Sequence, residues 1–321
     1  MSALRVLVTG SSGFVGAALV RYLLRDPSTH VIAAGRRPAA CVDGAEFRLL
    51  GELGAGEPAV ELFADVDVLV HAAARVHVLR DDCADPLAEY RRVNVAGTLD
   101  LAHAAARAGV KRFIFVSSIK VNGEESRPGM PFTAQDQPAP QDDYGISKLE
   151  AEIALRRLSA QTGMELVIIR PPLVYGPGVK ANFLGMMRWL QRGLPLPLGG
   201  LKNSRSMVAL ENLVDLLAVC VRHPQAADRV FLVADGDDLS TSELLVRLGR
   251  ALGRPARLLS VPEPLLRGLL GIAGLGRIRQ RLCASLQVDI GETCRLLGWR
   301  PPVTVDAGLL EAARHFQERT C

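Results

Sequence analysis

The stretch T-G-S-S-G-F-V-G, Thr9 to Gly16, decides the fold. An apolar run, Val6-Leu7-Val8, precedes it, and an apolar-periodic segment, Val15 to Leu24, follows. The run reads as a buried strand and the segment as a helix. Gly10, Gly13 and Gly16 between them form a G-x-x-G-x-x-G turn. Such a turn uses glycines that accept positive φ and let a pyrophosphate approach the backbone. The N–H groups and positive dipole end of the helix then face the phosphates. A glycine triplet alone is a weak signal; the strand before and the helix after it make this one a dinucleotide site. Gly10, Ser12, Gly13, Phe14, Val15 and Gly16 are its candidate contacts.

The rest of the chain fits that reading. Its 321 residues suffice for one large α/β domain, or one domain with a smaller second lobe. Hydrophobic residues make up 49%, which supports a sizeable core. The net charge of +4 is too small to argue for nucleic acid and suits a protein that binds anionic small molecules. Six scattered cysteines (Cys41, Cys83, Cys220, Cys283, Cys294 and Cys321) form no C-x-x-C pair, so free thiols in a reducing cytoplasm are expected, with no metal site. No leader is expected ahead of the first strand. No apolar run reaches membrane-spanning length, and Leu265 to Leu275 is interrupted by Arg267 and three glycines.

Strands are expected at His30–Ala34, Phe47–Leu50, Val66–Val70, Arg112–Val116, Glu165–Ile169 and Val230–Val233. The helices between the earlier ones span Pro86–Ala108 and Tyr144–Gln161. Strand–helix alternation argues a Rossmann-type, doubly wound parallel sheet. Composition shifts at R-P-P-L-V-Y-G-P-G, Arg170 to Gly178. That places a dinucleotide-binding domain at 1–172, rejoined by about 206–234, and a smaller C-terminal α/β substrate lobe at 173–321. Helices are expected there at Asn182–Arg192, Glu211–Val221 and Val305–Gln317, with capping boxes at Ser240/Glu243 and Asp289/Glu292.

The second strand ends in Gly35-Arg36-Arg37, with two arginines where an acid would bind the ribose 2′-OH of NAD. That charge favours NADP(H), while nearby Asp43 keeps NAD(H) open. Glu52 and Leu53 follow the third strand, and His71-Ala72-Ala73 closes the fourth. Small residues at a strand's carboxyl end suit a cofactor lying across it, whereas His71 by itself reads as a packing residue. Asn94 falls inside a helix, where an asparagine is usually exposed, and Pro171 follows the sixth strand; both complete the candidate cofactor contacts.

Tyr144 and Lys148 are four residues apart at a helix start, so they leave one face. They follow a strand ending in Ser117-Ser118 and a loop rich in Pro and Gly. A lysine ammonium one turn away favours the phenolate of a tyrosine whose ordinary pKa is about 10. Tyr144 is then the candidate proton donor and acceptor, Ser118 a hydrogen-bond donor to the reacting oxygen, and Lys148 a partner of both Tyr144 and the nicotinamide ribose.

Together T-G-S-S-G-F-V-G, H-A-A-A, S-S, Y-G-I-S-K, R-P-P-L-V-Y-G-P-G and the closing L-L-G-W-R-P (Leu296 to Pro301) resemble the extended short-chain dehydrogenase/reductase family, in its nucleotide-sugar branch. S-S-I-K-V-N-G-E and P-P-L-V-Y-G-P-G-V-K-A-N-F look most like bacterial C4 reductases of UDP-4-keto-6-deoxy-N-acetylhexosamines, which supply sugars for surface polysaccharide such as O-antigen. The resemblance implies an NAD(P)H-dependent ketoreductase acting on a UDP-sugar. The alternative is a UDP-sugar 4-epimerase with tightly bound NAD, and a distant third is a non-catalytic dinucleotide-binding regulator. It also implies a cytoplasmic homodimer, with Asn182 and Arg205 holding the diphosphate. Family dehydratases carry an Asp-Glu pair where this chain has Ile119-Lys120, so water elimination is not expected. Lys120 is left as a candidate substrate contact. The basic run from Leu265 to Arg281 reads either as the rim of the substrate lobe or as a surface that touches a membrane.

Overall fold

The computed structural model describes residues 3–38, 42–76, 85–127, 129–272 and 276–319. Cys41, Cys83, Cys321 and Pro128 lie outside the described residues. Seven strands form one parallel sheet: β1 (Leu4–Thr9), β2 (Thr29–Gly35), β3 (Glu46–Leu49), β4 (Val68–His71), β5 (Arg112–Val116), β6 (Glu165–Arg170) and, after two short strands of a second sheet, β9 (Arg229–Leu232). Their spatial order is β3-β2-β1-β4-β5-β6-β9. The second sheet pairs β7 (Leu173–Tyr175) with β8 (Met207–Ala209), also in parallel.

Alternation along the strands explains why both faces are covered. Val6 and Val8 share one core with Val31, Val70, Ile114 and Val167. Leu7, between them, joins Ile32, Leu69, Phe113 and Ile168 on the other face. Side chains of a strand point to opposite faces in turn, so an unbroken apolar run requires helices on both sides. Helices α1 (Phe14–Leu23) and α6 (Leu210–Arg222) supply the first layer. The second consists of α3 (Gly97–Arg107), which follows α2 (Pro86–Arg91) across a short connection, and α4 (Asp143–Thr162). A third apolar cluster joins α5 (Ala181–Gln191), α7 (Thr241–Ala251) and α11 (Val305–Glu318). The shorter α8 (Glu263–Ile272), α9 (Gly276–Cys283) and α10 (Gly291–Leu297) lie between α7 and α11. Among the described residues no helix is long and apolar enough to cross a membrane.

Three local expectations change. The single helix at Pro86–Ala108 is α2, a π-helical turn Arg92–Ala96, and α3. The extra residue in that turn points Asn94 inward, so the asparagine is buried, not exposed. The Ser240/Glu243 capping box is present. That at Asp289/Glu292 is not: α10 starts after Ile290, and Asp289 accepts from the N–H of Gly291 at 2.7 Å. Of the three turn glycines only Gly10 has positive φ, at 66°. Gly13 and Gly16 are needed for room: a Cβ on Gly16 would sit 2.2 Å from the Gly10 carbonyl oxygen.

One buried ion pair pins α4 to the sheet. The Arg170 guanidinium donates to both carboxylate oxygens of Glu152, at 2.9 and 2.6 Å. Ser117 Oγ donates to the same carboxylate at 2.6 Å, and Arg170 also reaches Asn122 Oδ1 at 2.9 Å. Both charged side chains are almost wholly buried. Removing one partner strands the other charge in the core. Glu152→Ala is therefore expected to lower unfolding stability by about 3–5 kcal/mol, read from urea denaturation, whereas Glu152→Leu with Arg170→Met should recover most of that loss.

Candidate active site

The carboxyl ends of β1, β4, β5 and β6 meet along one edge of the sheet, and the candidate residues lie on the loops that leave it. The β1 turn is tightest. A Cβ on Gly10 would be 2.7 Å from the Ala73 backbone N, so the turn after β1 and the end of β4 touch with no room to spare. These strands are neighbours at the point where the strand order reverses, the usual crevice for a ligand in such sheets. No side chain caps α1, and no acidic residue lies in its first turn. Its leading N–H groups and dipole are thus left for an anion. Ser12 and Gly13 are exposed, and Phe14 and Val15 half-buried. The turn, the bare helix end and the small Ala72 and Ala73 fit a dinucleotide pyrophosphate.

Arg36 and Arg37 are both exposed beyond β2. Glu52 is exposed and pairs with Arg92 at 2.9 Å, while Leu53 packs against the second core. His71 is fully buried. Its ring lies between Thr9 Oγ1 at 2.7 Å and Thr98 Oγ1 at 3.0 Å and stacks on Phe115. Burial pushes its pKa down to about 3, with the Lys148 charge adding to the effect, so the imidazole is neutral. The side chain is a core residue, as its place at the end of a buried strand suggested. Asn94 accepts from the N–H of Arg75 at 2.8 Å and donates to the Arg75 carbonyl and to Ser147 Oγ, both at 3.0 Å. It joins the loop after β4 to α4 beside Lys148. Pro171, buried after β6, accepts from the N–H of Ile119 at 2.9 Å.

Tyr144 and Lys148 occupy the first turns of α4, which Asp142 caps by accepting from the N–H of Gly145 at 2.7 Å. Tyr144 is half-buried with its ring edge-on to Tyr90, centroids 6.1 Å apart. Lys148 is 2% exposed. Its Nζ donates to the Val116 carbonyl at 2.9 Å, lies 4.4 Å over the Phe115 ring and stands 5.9 Å from the Tyr144 ring. Desolvation lowers its pKa to about 7, opposed by Glu152 one turn further along. The phenol of Tyr144 is raised above its ordinary value by burial first, then by Asp142 and Tyr90. In the protein alone, burial outweighs the nearby ammonium, contrary to the expectation that Lys148 would bring the phenol down.

The two serines diverge. Ser117 turns inward to Glu152, whereas Ser118, half-buried, begins a 3₁₀ turn, Ile119–Val121, and accepts from the N–H of Lys120 at 3.2 Å. The side chain of Lys120 is held by Glu124 at 2.9 Å and by Asp142. Asn182 is exposed on the first turn of α5. Arg205 is not on a named strand: it bridges Leu239 and Leu286 and donates to the Ala284 carbonyl at 3.0 Å. Burial lowers its pKa against the pull of Glu124 and Glu125. Sequence reading missed Thr9, Asp142, Glu152 and Arg170. Glu152 had a signal, since it extends Tyr144 and Lys148 by one more step of four. The described residues hold no cluster suited to a metal ion.

The lowered pKa of Lys148 has a thermodynamic consequence. Between about pH 7 and its ordinary value near 10.5 the unfolded chain binds the proton that the folded chain has lost. This group therefore makes stability rise with pH across that window; below it the cost of burying the charge is constant and adds no pH dependence. Urea denaturation at pH 7 and pH 9 should show the rise in the wild type, reduced in Lys148→Met; equal slopes in the two proteins would refute the shift.

The model of the NAD dependent epimerase/dehydratase family matches residues 6–234. A UDP-glucose 4-epimerase of Vibrio cholerae is 47% identical over 312 residues, covering 97% of this chain and 95% of the relative. The solved UDP-glucose 4-epimerase of Thermotoga maritima, with UDP-glucose, superposes with a TM-score of 0.80 at 22% identity, covering 99% and 100% of the two chains. The UDP-glucuronic acid 4-epimerase of Bacillus cereus, with NAD, gives 0.79 at 20% identity and the same coverage. The seven-strand topology and the matched span agree, and the chain belongs to the NAD dependent epimerase/dehydratase family.

Proposed function

We propose that the protein is a UDP-sugar 4-epimerase that keeps its NAD bound and inverts the C4 hydroxyl of a UDP-hexose or UDP-N-acetylhexosamine. The placement of Tyr144, Lys148 and Ser118 on the sheet edge beside the Gly10 turn supports oxidoreduction at a sugar carbon. Identity of 47% to a UDP-glucose 4-epimerase along nearly the whole chain favours epimerisation over the ketoreductase first expected.

NAD, held at the Gly10 turn and the start of α1, would supply the hydride acceptor and donor for C4. Tyr144 Oη takes the C4 hydroxyl proton as the ketone forms and gives it back as the other epimer is made. Because burial holds the phenol high, the positive nicotinamide of bound NAD, and Lys148 in its protonated form, would be the charges that favour the phenolate. Ser118 already accepts from a backbone N–H, so its own proton is available to the C4 oxygen. Asn182 and Arg205 are assigned to the diphosphate, the latter by guanidinium–phosphate pairing. Asn182 lies on α5 and Arg205 between Leu239 and Leu286, and we assign the sugar-nucleotide lobe to residues 173–321 without the stretch about 206–234, whose α6 and β9 serve the first domain. A cytoplasmic homodimer is part of this reading.

The exposed Arg36 and Arg37, with no acid at the end of β2, support a second reading: a ketoreductase that exchanges NADP(H). Purified protein decides between them. Epimerase function predicts NAD released on denaturation and interconversion of UDP-glucose and UDP-galactose, or their N-acetylamino counterparts, without added nucleotide. Protein free of nucleotide that consumes NADPH against a UDP-4-keto sugar would establish the reductase instead. In either case Tyr144→Phe should lower kcat by about 10²–10⁴-fold with the nucleotide still bound.

A further inference from the structure

We propose that Lys120 is a positioning residue that ties Ser118 to Tyr144 and sets the pH range in which Tyr144 exchanges its proton. The proposal rests on the assignment of Tyr144 as the proton-exchanging group, which the epimerase and ketoreductase readings share.

Two halves of Lys120 act on two parts of the site. Its backbone N–H donates to Ser118 Oγ at 3.2 Å, which orients that hydroxyl so that its proton points elsewhere. Its Nζ binds Glu124 at 2.9 Å and the carboxylate of Asp142. Asp142 is the N-cap of α4, two residues before Tyr144. The same junction is closed sterically: a Cβ on Gly145 would lie 3.0 Å from the Lys120 carbonyl oxygen. Side-chain exposures of 24%, 21% and 29% for Lys120, Glu124 and Asp142 place the cluster beneath full solvent screening.

The charges around Tyr144 give the direction. On α4 it faces Asp142 and Lys148; from α2 comes Tyr90, with Arg75 5.7 Å over its ring. Lys120, on the 3₁₀ turn, and Glu124 after it are linked to this group through Asp142. Behind Lys148 lie His71, neutral, and Glu152, offset by Arg170. Asp142 is the anion that opposes a Tyr144 phenolate, and Lys120 is the cation bound to that anion. Removing the Lys120 charge makes the phenolate harder to form, so activity should rise with pH only at higher pH. Removing the Asp142 charge should do the reverse and abolish most of the Lys120 effect. Asparagine caps a helix as well as aspartate does, so Asp142→Asn keeps the start of α4.

The test is the pH profile of kcat for the NAD-loaded wild type, Lys120→Met, Lys120→Arg, Asp142→Asn and Lys120→Met with Asp142→Asn, on whichever substrate class turns over. Lys120→Met should move the rising limb up by about half to one pH unit, a loss of about 3–10-fold at pH 7 with KM changed less than about twofold. Lys120→Arg should restore the limb. In the Asp142→Asn background the Lys120→Met shift should fall to less than half. A uniform loss at every pH, a lowered Tm with the limb unmoved, or an equal shift in both backgrounds would overturn the proposal. If the wild type turned over no UDP-sugar the functional reading would fail. The phenolate absorbance titration of the NAD-loaded protein, wild type minus Tyr144→Phe, would then still test Lys120: a rise of the Tyr144 titration in Lys120→Met supports the role and an unmoved one refutes it.

Discussion

The buried pair of Glu152 and Arg170 is the interaction on which the site depends. Glu152 belongs to the helix of Tyr144 and Lys148, and Arg170 ends β6, next to the strand that delivers Ser118. The hydrogen bonds from Ser117 and to Asn122 draw the ends of β5 and of the 3₁₀ turn into the same cluster. Charges this far from water are costly, and a pair with its hydrogen bonds satisfied offsets that cost only in a narrow geometry. That narrowness is useful to the chemistry, because it fixes the separation between the helix that carries the phenol and the strand end that carries the hydroxyl. Lys148 sits one turn from Glu152 on the same helix and donates to the Val116 carbonyl at the end of β5, so its Nζ inherits the same fixed placement.

Much of the architecture was legible because it follows from period and punctuation. Val6-Leu7-Val8 alternates between two cores as a doubly buried strand must, and the turn has no room for a side chain at Gly10 or Gly16 and little at Gly13. The i, i+4 spacing put Tyr144 and Lys148 on one helix face. What was not legible depends on partners distant in sequence. Asn94 looked like an exposed helix residue because a π-helical turn leaves no mark in hydrophobic periodicity. Glu292 met Gln135 rather than the backbone ahead of its own helix, a choice set by tertiary packing. Arg170 read as part of a Pro-rich boundary, and only the folded chain shows its guanidinium turned into the core.

The electrostatic reading of the site changed most. Sequence places an ammonium next to a phenol and suggests that the phenol's pKa falls. The structure adds desolvation, which acts on both groups: it lowers the lysine and raises the tyrosine. On the proposed function, the positive charge of a bound nicotinamide would help such a site form its phenolate, which would couple proton transfer to nucleotide occupancy. That coupling suits an enzyme that holds one nucleotide through a complete cycle of oxidation and reduction.

The central claim is that Tyr144 moves the proton while hydride passes through a nucleotide that never leaves. Following the label from UDP-glucose deuterated at C4 tests this most directly. The account predicts that the galacto product formed by NAD-loaded protein, with no free nucleotide present, keeps its deuterium at C4. Loss of that deuterium to solvent, or its transfer to an added pool of nucleotide, would contradict it.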